Sequence, residues 1–207
     1  MKGRDEQKKK GSHSQTSGQS EEVRGEKEGG AEGIASDRTA CLLTGGPGSG
    51  KTTLIKEALA SYSGGAGGFY TEEIRAEGVR QGFRLVTLEG ETAVLAHVDL
   101  PGPFRVGKYG VDVAALERVG VKALRKAIEE KRLVVVDEIG KMELFSTAFR
   151  EVVAQALERG RVLGSIMLAP HPVADRIKAL PQVQVLLLTR SNFQARLKEV
   201  RAWLETG

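Results

Sequence analysis

The chain has 207 residues, 40% of them apolar, with a single cysteine, a formal net charge of +4 and a pI near 9.2. That length suits one ordinary domain plus extras; no window approaches ~20 consecutive apolar residues, which excludes a transmembrane helix, and Cys41 alone excludes an intramolecular disulfide or a multi-cysteine metal site. The basic balance is no nucleic-acid signature, because after Asp37 the 24 basic and 19 acidic residues interleave without a basic block.

From residue 1 to 37 the sequence holds Lys8-Lys9-Lys10, a Gly/Ser/Gln stretch from Gly11 to Ser20 and a mixed-charge run from Glu21 to Glu32. Among branched aliphatics and aromatics only Val23 precedes Ile34. Such a segment buries too little apolar area to offset its ordering entropy, so it reads as a disordered tail ahead of a domain at 38–207. The first residues also lack the apolar core of a signal peptide, and a cytoplasmic, monomeric protein is the expectation.

The apolar run Ala40 to Leu43 predicts a strand and Leu54 to Ala60 a helix, and between them stands Thr44-Gly45-Gly46-Pro47-Gly48-Ser49-Gly50-Lys51-Thr52-Thr53. Gly45, Gly50, Lys51 and Thr52 fit G-x-x-x-x-G-K-[ST], the phosphate-binding loop, in its confirming strand–loop–helix context. Backbone amides that converge on phosphate oxygens need residues that tolerate positive φ and carry no Cβ into the ligand. Lys51 is placed to reach the β and γ phosphates, and the Thr52 hydroxyl to coordinate Mg2+. Gly45, Gly46, Pro47, Gly48, Ser49, Gly50, Lys51, Thr52 and Thr53 are therefore assigned to the nucleotide.

Gly64 to Gly68 reads as a Gly-rich turn. The β-prone runs Phe69–Arg75, Gly82–Leu88 and Thr92–Val98 follow, joined by turns at Glu77-Gly78 and Glu89-Gly90. Strands joined this tightly cannot all be parallel, so an antiparallel β insertion is expected beside a parallel sheet. After the Pro101-Gly102-Pro103 break comes a Gly-containing loop with Arg105 and Lys108. Asp112 then caps a helical region that reaches Glu130, with an interruption at Val119-Gly120.

Leu133, Val134, Val135 and Val136 form an uninterrupted β run of the kind covered on both faces. It ends in Asp137-Glu138, followed by Ile139 and Gly140, and the whole stretch Leu133 to Gly140 is assigned to the nucleotide site. Open α/β sheets bind ligands at this carboxyl edge. Asp137 is assigned to the Mg2+ shell beside Thr52, and Glu138 to the attacking water as its orienter or general base. Lys141, close to the acids, is expected to pair with Glu138. Glu143 to Arg159 shows a helix period without a miss, closed by Gly160. A strand at Arg161–Ile166, a short helix at Val173–Leu180, a strand at Val183–Leu188 and a helix at Asn192–Glu205 complete an α/β fold. Its three layers enclose a mainly parallel sheet. His97 and His171 have no metal-ligand spacing and read as structural or solvated.

Thr44 to Leu54, Gly68 to Arg75, Arg105 to Tyr109 and Val136 to Phe145 together closely resemble the family of thermophile and cancer-related nucleoside-triphosphatases. The resemblance runs from about Thr39 to Val200 and implies a small P-loop NTPase. It implies Mg2+-dependent, slow hydrolysis of the γ phosphate of ATP, GTP, CTP and UTP. It also draws Glu72 and Glu73 into a shared motif, as candidates for placing water or metal. Arg105 and Lys108 become candidate cations for transition-state charge; any arginine acting in trans would come from Arg105, Arg150, Arg176 or Arg190. The guanine-selecting Asn-Lys-x-Asp signature is absent, which agrees with loose base preference. Two other readings stay open: a nucleoside or nucleotide kinase, and an NTP-dependent switch that binds RNA or a protein.

Overall fold

The computed structural model describes residues 38–130 and 132–206. The expected disordered tail lies outside them. One nine-stranded sheet runs through the structure in the order β5 (Arg105–Val106), β6 (Tyr109–Val111), β4 (Thr92–His97), β3 (Val79–Thr87), β2 (Ala66–Ala76), β7 (Leu133–Ile139), β8 (Val162–Ile166), β1 (Ala40–Thr44) and β9 (Val183–Leu187). Its parallel part comprises β2, β7, β8, β1 and β9.

Side-chain alternation along β1 and β7 explains the layers. Ala40, Leu42, Val134 and Val136 point to one face and join Phe149, Val152 and Val153 of α4 (Thr147–Arg159). Cys41, Leu43, Leu133 and Val135 point to the other face. There they meet Leu54 and Ile55 of α1 (Lys51–Leu59) and Val200, Trp203 and Leu204 of α6 (Phe193–Glu205). A strand buried on both faces has no polar face to show, hence the unbroken apolar runs. Burial also pushes the Cys41 thiol up, which leaves it an inert core residue.

The expected antiparallel ladder lies beside the parallel strands and is continuous with them in one sheet. β2, with 11 residues, is longer than any other strand of the parallel part; Ala66 to Tyr70 pair with β7, and Phe69 to Ala76 lead the antiparallel ladder through β3 (Val79–Thr87) and β4 (Thr92–His97). The expected turn at Gly64–Gly68 is corrected, because Ala66 to Gly68 are already in β2. Gly68 sits at φ 117°, and a Cβ there would lie 2.0 Å from the Val135 carbonyl oxygen. Glycine is present for close strand approach, a use that resembles turn chemistry in sequence.

Three further differences have local causes. The loop with Arg105 and Lys108 is a hairpin, β5 (Arg105–Val106) and β6 (Tyr109–Val111), that extends the sheet edge. Asp112 caps as expected, accepting from Ala115 N, but the helix continues past Gly120. It runs as α2 (Val113–Ala115), a π-helical stretch Leu116–Val121 and α3 (Lys122–Glu129). A Cβ at Gly120 would stand 2.8 Å from Leu85 Cδ1 and 3.1 Å from Phe69 Cε1, so this glycine lets the helix lie on the sheet. Finally, the expected helix from Glu143 is two elements, a 3₁₀ turn Glu143–Phe145 and α4. Ser146 divides them, its extended backbone and hydroxyl capping α4 through Phe149 N at 2.9 Å. Gly160 closes α4 in an extended rather than left-handed conformation. α5 (Pro172–Lys178) is capped by His171, which accounts for that histidine.

Candidate active site

β1 delivers the loop Gly45–Gly50 to the carboxyl edge of the parallel strands. Gly50, at φ 97°, turns the chain into α1, whose N-terminus has no side-chain cap and no acid in its first turn. Its free amides and partial positive charge are thus left for an anion. Gly46, Pro47 and Gly48 are exposed, and the Lys51 ammonium folds back to donate to the Gly45 carbonyl at 3.2 Å.

The sheet order places β8 between β1 and β7, so Asp137 reaches the loop across one strand. Thr52 Oγ1 donates to one carboxylate oxygen of Asp137, and Ser165 Oγ on β8 donates to the other. Burial raises the Asp137 carboxyl, while Ser165, Thr52 and Lys51 oppose that shift. A hydroxyl and a carboxylate oxygen meeting at one point form a hard-oxygen set of the type Mg2+ prefers. Mg2+ takes its remaining ligands from phosphates and water, so one protein carboxylate suffices. Glu138, the next residue, is half-buried. Burial raises its carboxyl too; Lys51 acts against this and Asp137 with it.

Leu133, Val134, Val135, Val136 and Ile139 are placed in the two apolar clusters. Their buried side chains carry Asp137 and Glu138 to the edge. Glu72 and Glu73 are each held in ion pairs. Glu72 is held between Lys56 at 2.9 Å and Arg84 at 2.6 Å, and those two cations lower its carboxyl. Glu73 is likewise held down by Arg80 and Arg75. Arg105 spends its guanidinium on the Lys108 carbonyl at 2.8 Å and the Leu100 carbonyl at 3.3 Å, which ties the hairpin, and Lys108 lies over the Tyr109 ring. No ion pair joins Lys141 to Glu138 among the described residues; Lys141 is exposed.

Besides Arg105, two more of the four candidate arginines are occupied, Arg150 by Thr147 and Arg176 by the Pro172 carbonyl. Arg190 is the one that touches the phosphate loop, its Nε 3.5 Å from the Gly48 carbonyl oxygen, and it does so within the same chain. Its position follows from β9: Leu188 N donates to Thr44 O at 2.7 Å, which locks the segment after β9 against the start of the loop. A cavity of about 740 Å³ opens at the opposite, amino edge of the strands, between Thr39, Gly65, Leu133 and Arg161, and of the residues assigned to the nucleotide it includes Leu133 alone.

Sequence reasoning missed two groups. Ser165 is a lone hydroxyl in an apolar strand, and its only signal was that a fully buried hydroxyl requires a partner. Glu143 is a buried carboxyl whose Oε2 accepts from Gly140 N at 3.2 Å. Its signal was an acid lying inside an otherwise apolar helical face.

A family model described as NTPase matches residues 40–201. The chain belongs to this NTPase family. Nucleoside-triphosphatase THEP1 of Thermotoga petrophila is 51% identical over 160 residues, which cover 77% of this chain and 89% of that protein. The human cancer-related nucleoside-triphosphatase is 39% identical over 176 residues, 77% of this chain and 93% of the relative. Among solved structures, the crystal structure of THEP1 from Aquifex aeolicus matches with a TM-score of 0.75 at 35% identity, covering 80% of this chain and 99% of the other. The solution structure of the human cancer-related enzyme matches at 0.70 and 38% identity, covering 82% and 98%. NTPase membership thus rests on nearly the whole described domain, including the antiparallel ladder, and not on the phosphate loop alone.

Proposed function

We propose that this member of the NTPase family hydrolyses nucleoside 5′-triphosphates, ATP, GTP, CTP and UTP among them, to the diphosphate and phosphate with Mg2+ at the Thr52–Asp137 pair. The observation that carries the reading is the convergence of Thr52, on the phosphate loop, with Asp137, on a strand two positions away, beside Glu138. The loop amides and Lys51 hold the β and γ phosphates. Thr52 and Asp137 would hold Mg2+, which when bound neutralises phosphate oxygen charge. Glu138 accepts a proton from water as the water oxygen bonds to the γ phosphorus, and the bond from that phosphorus to the β–γ bridging oxygen breaks. A carboxyl raised by burial suits a general base, whose ideal pKa lies near the operating pH.

Hydrolysis differs from kinase chemistry in the acceptor. ATP labelled in the γ phosphate, incubated with the protein and Mg2+, should release label as inorganic phosphate with or without added nucleosides. Label appearing in an organic acceptor would contradict the reading. No helix among the described residues is long and apolar enough to cross a membrane. A cytoplasmic location and a monomeric state belong to the same proposal, to be checked by cell fractionation and light scattering.

A further inference from the structure

The turn that follows β7 is closed from inside by a carboxyl group. Leu144 N donates to Gly140 O at 3.0 Å, Ser146 N donates to Glu143 O at 3.1 Å, and the Glu143 side chain turns back so that its Oε2 accepts from Gly140 N. Acids are almost never fully buried unless something specific holds them. Were the turn all that mattered, a backbone-capping Ser or Asn at the surface would serve at lower desolvation cost.

What sets Glu143 apart is its neighbour. The point where a Cβ on Gly140 would stand lies 3.0 Å from Glu143 Oε2 and 3.6 and 3.7 Å from Glu138 Cγ and Cδ. The two side chains therefore flank one notch that the missing Gly140 side chain leaves open. We infer that Glu143 is a positioning residue for Glu138: it fixes the 138–140 backbone through Gly140 N and walls one side of the Glu138 carboxyl, which leaves that carboxyl a single direction toward the phosphate loop. This rests on the reading of Glu138 as the group that prepares water. Burial pushes the Glu143 carboxyl up to about 8, and the charges of Glu138 and Asp137 act the same way. A neutral acid beside Glu138 adds no repelling charge to the site.

The test is steady-state phosphate release from MgATP by Glu143→Met, Glu143→Gln and Gly140→Ala, with melting curves alongside. Met keeps the volume and removes the acceptor, so kcat should fall on the order of 10²-fold with KM for MgATP unchanged, as expected for misplacing a reacting group. Gln retains an acceptor for Gly140 N and should recover most of that loss. Gly140→Ala, at a position without positive φ, inserts a methyl into the notch and should lower kcat at unchanged KM even if Glu143→Met fails to fold. In a Glu138→Gln background neither Glu143→Met nor Gly140→Ala should reduce the residual rate further, because both act through Glu138. Parental kcat in folded Glu143→Met or in Gly140→Ala, or an equal loss with and without Glu138, would overturn the inference. Parental turnover in Glu138→Gln alone would instead overturn the reading of Glu138.

Discussion

Ser165 donates its hydroxyl to the carboxylate oxygen of Asp137 that Thr52 does not use, so the buried acid is gripped at once from β8 and from the first turn of α1. Removing the hydroxyl leaves a buried acceptor unpartnered, which costs about 1–3 kcal/mol. A partner of this kind also orients a metal-binding carboxylate, and its loss typically lowers metal affinity about 10–100-fold. Ser165→Ala should therefore need more Mg2+ for half-maximal turnover, read from phosphate release against Mg2+ concentration. An unchanged Mg2+ midpoint would show that Ser165 is only a packing residue.

Lys51 stands at the start of α1 with its ammonium over the loop. Charge-assisted hydrogen bonds contribute about 1.5–3 kcal/mol, so Lys51→Ala should weaken MgATP roughly 10–100-fold in calorimetry. Unchanged affinity would count against the loop as the phosphate site.

Glu143 ties stability to pH. Its carboxyl is pushed from an ordinary 4.5 up to about 8 in the folded protein by burial. Between those values the folded chain binds more protons than the unfolded chain, so this group's contribution to stability falls as pH rises from about 4.5 to about 8. Without nucleotide or Mg2+, the melting temperature of the parent should drop more between pH 5 and pH 8 than that of Glu143→Gln. Parallel pH profiles would contradict a buried neutral Glu143.

Ser146 makes two bonds, accepting from Phe149 N and donating to Glu117 at 2.7 Å on the π-helical stretch. Ser146→Ala should cost about 1–2 kcal/mol, within the range for a lost N-cap, measured by denaturant unfolding. A change below about 0.5 kcal/mol would show that the break between the 3₁₀ turn and α4 does not depend on this cap.

The parallel core was legible in sequence because its strands are short apolar runs separated by helices of clear period. The phosphate loop and the Asp137-Glu138 edge were legible because their chemistry demands particular residues at fixed spacing. What sequence did not show depended on contacts distant along the chain. Gly68 and Gly120 look like turn or break residues until Val135 and Leu85 are seen against them. The period from Glu143 to Arg159 hides a cap, because Leu144 and Phe145 stay in phase with α4 across Ser146. Glu72, Glu73 and Arg105 sit in motif segments, yet ion pairs across β3 or carbonyls within a hairpin occupy their charges. Ser165 shows in sequence only as a hydroxyl in an apolar strand, and its partner follows from β8 lying between β1 and β7.

Hydrolysis at this site turns on Glu138. Single-turnover phosphate release from saturating MgATP by Glu138→Gln, with MgATP affinity measured in parallel, tests it most directly. Affinity should be retained, because Gly45–Thr53 and Asp137 are untouched, with turnover reduced at least about 10²-fold through loss of the general base. Parental turnover in the Gln variant would contradict it.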